Sequence, residues 1–358
     1  MSFSLKLGAV LAGLLGLAVI LFTFERPPVE TVQTGFRGVA LGNIANPRLQ
    51  PALAAANQLP TMIPHVPEGG PRAGQVYQNV KVLGELGVAQ FARTMAAMTS
   101  WVAPQQGCGY CHNTANMASD EVYTKVVARR MLQMVARINA EWKPHVAETG
   151  VTCYTCHRGN PVPLNVWSEN TGPMRGEGYS ASSNGQNLAS PVVGDSSLPY
   201  DPFSRYLDQA TNIRVQTPDP LPAGNSQGIK DAEFTYGLMI HFAQALGVNC
   251  TTCHNSRAFS AWDQSSPQRT NAWHGIRMVR DINHNFIDPL QPVWAANPNG
   301  PANGPHRARL GAHDDPLKVN CTTCHQGVNK PLNGVSMLQD YQELTRITNI
   351  DAPPPVRQ

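Results

Sequence analysis

Residues 7–24 are almost continuously apolar and carry no charge. As a helix this run of 18 residues is about 27 Å long, close to the thickness of a hydrocarbon core. Lys6 precedes it and Glu25-Arg26-Pro27-Pro28 ends it. Positive charge on the N-terminal side places residues 1–6 in the cytoplasm and the rest across the membrane. A Gly16-x-Ala18 site fits a cleaved signal peptide. Cutting there leaves an apolar stretch stranded on the mature side, so an uncleaved single-pass anchor over residues 1–24 is expected. No Cys stands at positions 23–25 to take a lipid.

Residues 25–74 are rich in Pro, Ala and Gly, with little periodicity, and read as an extended arm on a surface. Phe91, Met95 and Met98 fall on one helical stripe, stopped by Pro104 and Gly107. A second helix spans about 120–142, with Val127, Met131, Met134, Val135, Ile138 and Trp142 on one face. Residues 161–225, rich in Gly, Ser, Asn and Pro, read as a linker. A third helix starts near Asp231 and carries Phe234, Leu238, Phe242 and Leu246. A fourth covers about 270–286, with Ile276, Val279 and Phe286 on one side. A loop over 288–315 follows, and the tail 351–358 is expected to fray. The second and fourth helices are alike. Met134-Val135-Ala136-Arg137-Ile138-Asn139 aligns with Met278-Val279-Arg280-Asp281-Ile282-Asn283. In that register Met131 stands opposite Gly275. The pattern predicts two duplicated halves, 25–160 and 226–358.

Composition narrows the class. Charged residues are only 14%, and 30 Gly with 30 Pro point to long, turn-rich connections. A net charge of +3 without a long basic run gives no surface for nucleic acid. The eight cysteines decide the chemistry. They form Cys108-Gly109-Tyr110-Cys111-His112, Cys153-Tyr154-Thr155-Cys156-His157, Cys250-Thr251-Thr252-Cys253-His254 and Cys321-Thr322-Thr323-Cys324-His325. None is left over for a structural disulfide or a reactive thiol. Two thiols at this spacing form thioethers to the two vinyl groups of one porphyrin, and the adjacent His binds its iron. A zinc site needs no His after each pair, and a thioredoxin-like pair needs a βαβ setting that is missing. Four covalent c-type haems are therefore expected. Their propionates move the net charge from +3 to roughly −1 to −5.

The ligand on the far side of each iron separates a carrier from a reductase. Candidates are Met95 or Met98, Met131 or Met134, and Met239 or His241. Any of these also serves as core packing. The fourth site has Gly275 where the first half has Met131. Met278 and His274 are local candidates there, and His145, just after Pro144, is one from the other half.

The chain resembles the tetrahaem cytochrome subunit of the purple-bacterial photosynthetic reaction centre. The matching segments include Thr34-Gly35-Phe36-Arg37-Gly38, Gln75-Val76-Tyr77-Gln78-Asn79-Val80-Lys81-Val82-Leu83-Gly84, Arg93-Thr94-Met95 and Val127-Ala128-Arg129-Arg130-Met131. They continue through His145-Val146-Ala147-Glu148-Thr149-Gly150 into the second motif, then Gly275-Ile276-Arg277-Met278 and Cys324-His325-Gln326-Gly327. The resemblance implies three Met/His haems and one bis-His haem. Matching segments pair Met95 with His112, Met131 with His157, Met239 with His254, and His145 with His325. It implies a mainly α, multihaem c-type cytochrome on the periplasmic face of the bacterial inner membrane. Such a protein takes electrons from a soluble cytochrome c or a high-potential iron–sulfur protein. It re-reduces the photo-oxidised pair held by the reaction centre L and M subunits, and makes or breaks no substrate bond. Contact with the light-harvesting antenna is left open. The alternative is a membrane-bound donor or reductase in a respiratory chain.

Overall fold

The computed structural model describes residues 2–24, 28–33, 41–170, 172, 189–190, 192–194, 196–216, 227–302, 304 and 307–346. The Thr34-Gly35-Phe36-Arg37-Gly38 segment, His306 and the tail 351–358 lie outside them, as does most of the Gly/Ser-rich stretch at 173–188.

The uncharged run forms α1 (Phe3–Thr23). At 1.5 Å per residue its 21 residues extend about 31 Å. None of its side chains is buried, and it is long and apolar enough to cross a membrane. Where described, the arm carries regular elements. Strands β1 (Glu30–Gln33) and β2 (Gly42–Ala45) pair antiparallel with Thr31 opposite Ile44, and α2 (Gln50–Ala56) follows. Four-residue strands are too short to leave a readable alternation. The arm reaches across to the third and fourth motifs. Asn249 Oδ1 accepts from the Ile44 amide at 2.8 Å, and Thr251 donates to the Gly42 carbonyl at 2.9 Å. Asn57 donates to the Gln326 carbonyl at 3.2 Å.

Four longer helices form where the apolar stripes predict them: α3 (Val88–Val102), α4 (Tyr123–Glu141), α5 (Ile229–Leu246) and α6 (Pro267–Ile282). Helix α6 starts earlier than expected because Pro267 suits a first helical position. It runs on through a π-helical turn, Asn283–Ile287. Gly247 ends α5 in a left-handed conformation, φ +61°.

Two apolar clusters hold these helices. The first joins Trp101 of α3, Leu132, Val135 and Ile138 of α4, and Met278 and Ile282 of α6. Tyr341 and Leu344, from the chain's far end, are fully buried in it. The second joins Leu238 of α5 and Ile276 and Val279 of α6 to Trp167, Phe203, Tyr206 and Leu207. These last four come from the segment expected to be a linker. Where described, that segment is packed rather than loose. Strand β3 (Val166–Trp167) pairs with β4 (Lys318–Val319), and Asp201 accepts from the Phe203 and Ser204 amides ahead of a π-helical turn. Its anchors are few and set among turn residues, so they give no periodic signal.

Segments distant in the chain interlock. Asp281 of α6 is 1% exposed and accepts from Arg137 of α4 at 2.9 Å and from the Trp142 indole at 2.7 Å. In return for the arm, the C-terminal segment docks on α3. Arg93 donates to the Asp340 carbonyl at 2.7 Å, and Thr94 donates to Glu343 at 2.7 Å. The Arg93 guanidinium lies 3.9 Å from the centre of the Tyr341 ring.

Candidate haem-binding site

The helices surround a continuous cavity of about 1220 Å³, lined by residues of all four Cys-x-x-Cys-His motifs. The motifs sit on single turns: Gly107–Tyr110 (3-10), Cys153–His157, Cys250–Cys253 and Cys321–His325. None of the eight cysteines is in a disulfide. Cys156 and Cys324 meet, with Sγ atoms 2.7 Å apart, so the second and fourth motifs are neighbours.

Every motif histidine is oriented the same way. His112 Nδ1 donates to the Met117 carbonyl at 3.1 Å, and His254 Nδ1 to the Phe259 carbonyl at 2.9 Å. His157 Nδ1 donates to the Asn160 carbonyl at 2.8 Å, and His325 Nδ1 to the Val328 carbonyl at 3.1 Å. Such a bond fixes the tautomer and leaves the Nε2 lone pair for a metal. Burial pushes the pKa of His157 and His254 down, and that of His325 down to about 4. These three imidazoles are therefore neutral at pH 7, the form that binds iron.

His145 joins this set. Its Nδ1 donates to the Asn271 carbonyl at 3.0 Å, and burial lowers its pKa. Its ring centre lies 6.0 Å from that of His325. A metal held at about 2 Å from a nitrogen of each ring requires centres about 6 Å apart. Gly275 makes the approach possible. A Cβ there would lie 2.6 Å from His145 Cε1. The mismatch with Met131 is thus a space the imidazole fills. His284 differs, since Nε2 meets the Asp208 carbonyl at 2.6 Å and Nδ1 faces Asp288 at 3.3 Å.

Met95, Met98, Met131 and Met134 all line the cavity. Met134 is buried and Met131 half-buried. Met239 does not line it and packs, half-buried, beside the second cluster. Of the third motif Thr252 and Cys253 reach the cavity, while Cys250 is exposed. His241, the alternative to Met239, is buried against Phe203, ring centres 4.5 Å apart. Two backbone bonds set the register of the first and third helices. The Gly159 amide donates to the Trp101 carbonyl and the Gly327 amide to the Ala245 carbonyl, both at 2.8 Å. Trp101 follows Met95 by six positions, and Ala245 follows Met239 by six.

The residues fit the group the motifs imply: paired thiols, oriented neutral imidazoles and thioethers around one apolar cavity. Sequence reasoning missed Arg309, Tyr110 and Tyr123, whose side chains also line it. Burial pushes the Tyr110 phenol up to about 12. No local pattern marks a loop arginine as a wall of a distant site.

Residues 25–345 match the family described as photosynthetic reaction centre cytochrome C subunit. The photosynthetic reaction center cytochrome c subunit of Rubrivivax gelatinosus is 51% identical over 328 residues, covering 91% of this chain and 86% of the relative. Its counterpart in Thermochromatium tepidum is 49% identical, covering 91% and 78%. That of Roseobacter denitrificans is 38% identical, covering 94% and 92%. A match of this extent makes the chain a member of the photosynthetic reaction centre cytochrome c subunit family.

Proposed function

We propose that this protein is a membrane-anchored tetrahaem electron carrier that re-reduces the photo-oxidised pair of the reaction centre. The L and M subunits are its acceptor side. A soluble periplasmic cytochrome c or high-potential iron–sulfur protein is its donor. The relatives are named as reaction centre subunits, and none of those named is respiratory. Helix α1 anchors the chain in the inner membrane, with the bulk on the periplasmic side.

The observation that carries the reading is the common orientation of five histidines, each holding Nδ1 on a backbone carbonyl. Bound haem supplies one-electron exchange at iron. The chain supplies the rest. The cysteine pairs would tether each group, and His112, His157, His254 and His325 would ligate its iron together with Met95, Met131, Met239 and His145. With two protein ligands for each iron, no position would be left for a substrate. The apolar walls exclude water and keep rearrangement small when the charge changes. Cys156 beside Cys324 makes the second and fourth sites neighbours.

Two halves, 25–160 and 226–358, joined through 161–225, account for the repeated register of the Met-bearing helices. They also account for the paired histidine acceptors. These fall five positions on in the first and third motifs, and three positions on in the second and fourth.

Flash-induced absorbance changes in isolated membranes test the function. A flash oxidises haem in these membranes within the turnover of the photo-oxidised pair. Haem that stays reduced after the flash, but is oxidised by oxygen through a respiratory chain, overturns the reading.

A further inference from the structure

Arg309 sits in the 288–315 loop, yet it lines the same cavity as Cys108, Cys111 and His112 and touches Tyr110 of the first motif. It is 4% exposed. Its Nη2 donates to Tyr110 Oη at 3.2 Å. Its Nε is buried with no hydrogen-bond partner, as is Tyr123 Oη close by. Among the described residues Arg309 makes no ion pair with a carboxylate. A second cation, Arg307, is near enough that Arg309, after burial, helps push its pKa down. An isolated buried guanidinium is costly, and buried donors are normally satisfied.

The loop is shaped to deliver it. Gly300, at φ +87°, lies where a Cβ would come within 2.6 Å of Arg309 Nη2. The Arg309 amide donates to the Pro298 carbonyl at 3.0 Å. A Cβ on Gly304 would meet the Tyr110 ring at 2.9 Å. Arg307 fastens the same loop to the segment after the second motif by donating to the Val162 carbonyl at 3.1 Å.

Three donors thus converge without an acceptor: Arg309 Nε, the Tyr123 hydroxyl, and the Tyr110 proton left after its oxygen accepts from Arg309. What they lack is an anion, and a carboxylate matches an arginine fork. We propose that Arg309, with Tyr123 and Tyr110, clamps a propionate of the haem tethered at Cys108 and Cys111. This rests on the tetrahaem reading above. The clamp makes Arg309 a positioning residue that raises the potential of that haem alone. A positive charge favours the reduced iron. At an effective dielectric of about 20, a unit charge about 10 Å away changes a one-electron equilibrium roughly tenfold.

The test is a redox titration of the full-length, haem-loaded protein and its R309Q variant. A haemochrome count on the parent protein checks the tetrahaem reading separately. A count below four overturns that reading and leaves the clamp to be judged on the haem at Cys108. In R309Q one midpoint falls by about tenfold in equilibrium, about 59 mV for one electron, and the others hold. R309K restores part of the shift. Four unchanged midpoints, or four moving together, overturn the proposal. Should R309Q fail to accumulate, R309K and Tyr123→Phe decide. A shifted propionate bending band in the resonance Raman spectrum supports the clamp. An unmoved band in both variants overturns it.

Discussion

Gly275→Ala is the sharpest perturbation available, because one methyl group meets one imidazole. The added Cβ would lie 2.6 Å from His145 Cε1 and 3.0 Å from Nδ1. Carbon atoms rest at about 3.5–4.0 Å, so the ring must retreat by about 1 Å. The Nδ1 bond to Asn271, now 3.0 Å, stretches past hydrogen-bond range, and a metal–nitrogen bond of about 2 Å does not survive the same shift. The helix itself gains, since Ala is favoured over Gly by about 1 kcal/mol in a helix interior. The expected result is therefore a folded protein with one haem gone high-spin, read by low-temperature EPR and by the loss of one low-spin signal. Gly237→Ala in α5 is the control. Its nearest neighbour is the Val193 side chain at 3.4 Å, an ordinary contact, and all haems stay low-spin. If Gly275→Ala leaves four low-spin haems, His145 is not the ligand opposite His325.

Further outcomes follow from other contacts. Met95→Leu gives a high-spin haem at the first motif while Met98→Leu leaves four low-spin signals; the reverse result by EPR transfers the ligand role to Met98. Asp281→Ala removes the shared acceptor of Arg137 and Trp142 and lowers stability by about 3 kcal/mol, seen as a drop in Tm with the haem count kept. Removing residues 2–24 releases the protein into the soluble fraction with unchanged haem spectra. A truncated chain that still pellets with membranes in high salt shows that α1 is not the anchor.

Much of this site is written in local sequence. The thiol spacing and the His after each pair need no tertiary information, and the stripes that place α3 to α6 follow from residue periodicity. The Gly275 mismatch also showed, as a gap in an internal alignment, although only the structure supplies the imidazole that fills it. What stayed hidden depends on contacts between distant segments. Trp167, Phe203 and Tyr206 lie among turn residues and become core only against α5 and α6. Arg309 reads as an ordinary loop cation until the loop is folded against Tyr110. Nor does spacing show that Met239 lies outside the cavity that Met95 and Met131 line.

The reciprocal docking of the two chain ends has a consequence for how the molecule comes apart. The arm residues Ile44 and Asn57 are bonded near the third and fourth motifs, and Asp340 and Glu343 to α3. Each end of the chain therefore straps a region distant from it, as two hands clasp. A protease nick between residues 172 and 227 would leave the fragments together until denaturant separates them. Either fragment produced alone would lack a strap supplied by the other, and is expected to fold less stably than the intact chain.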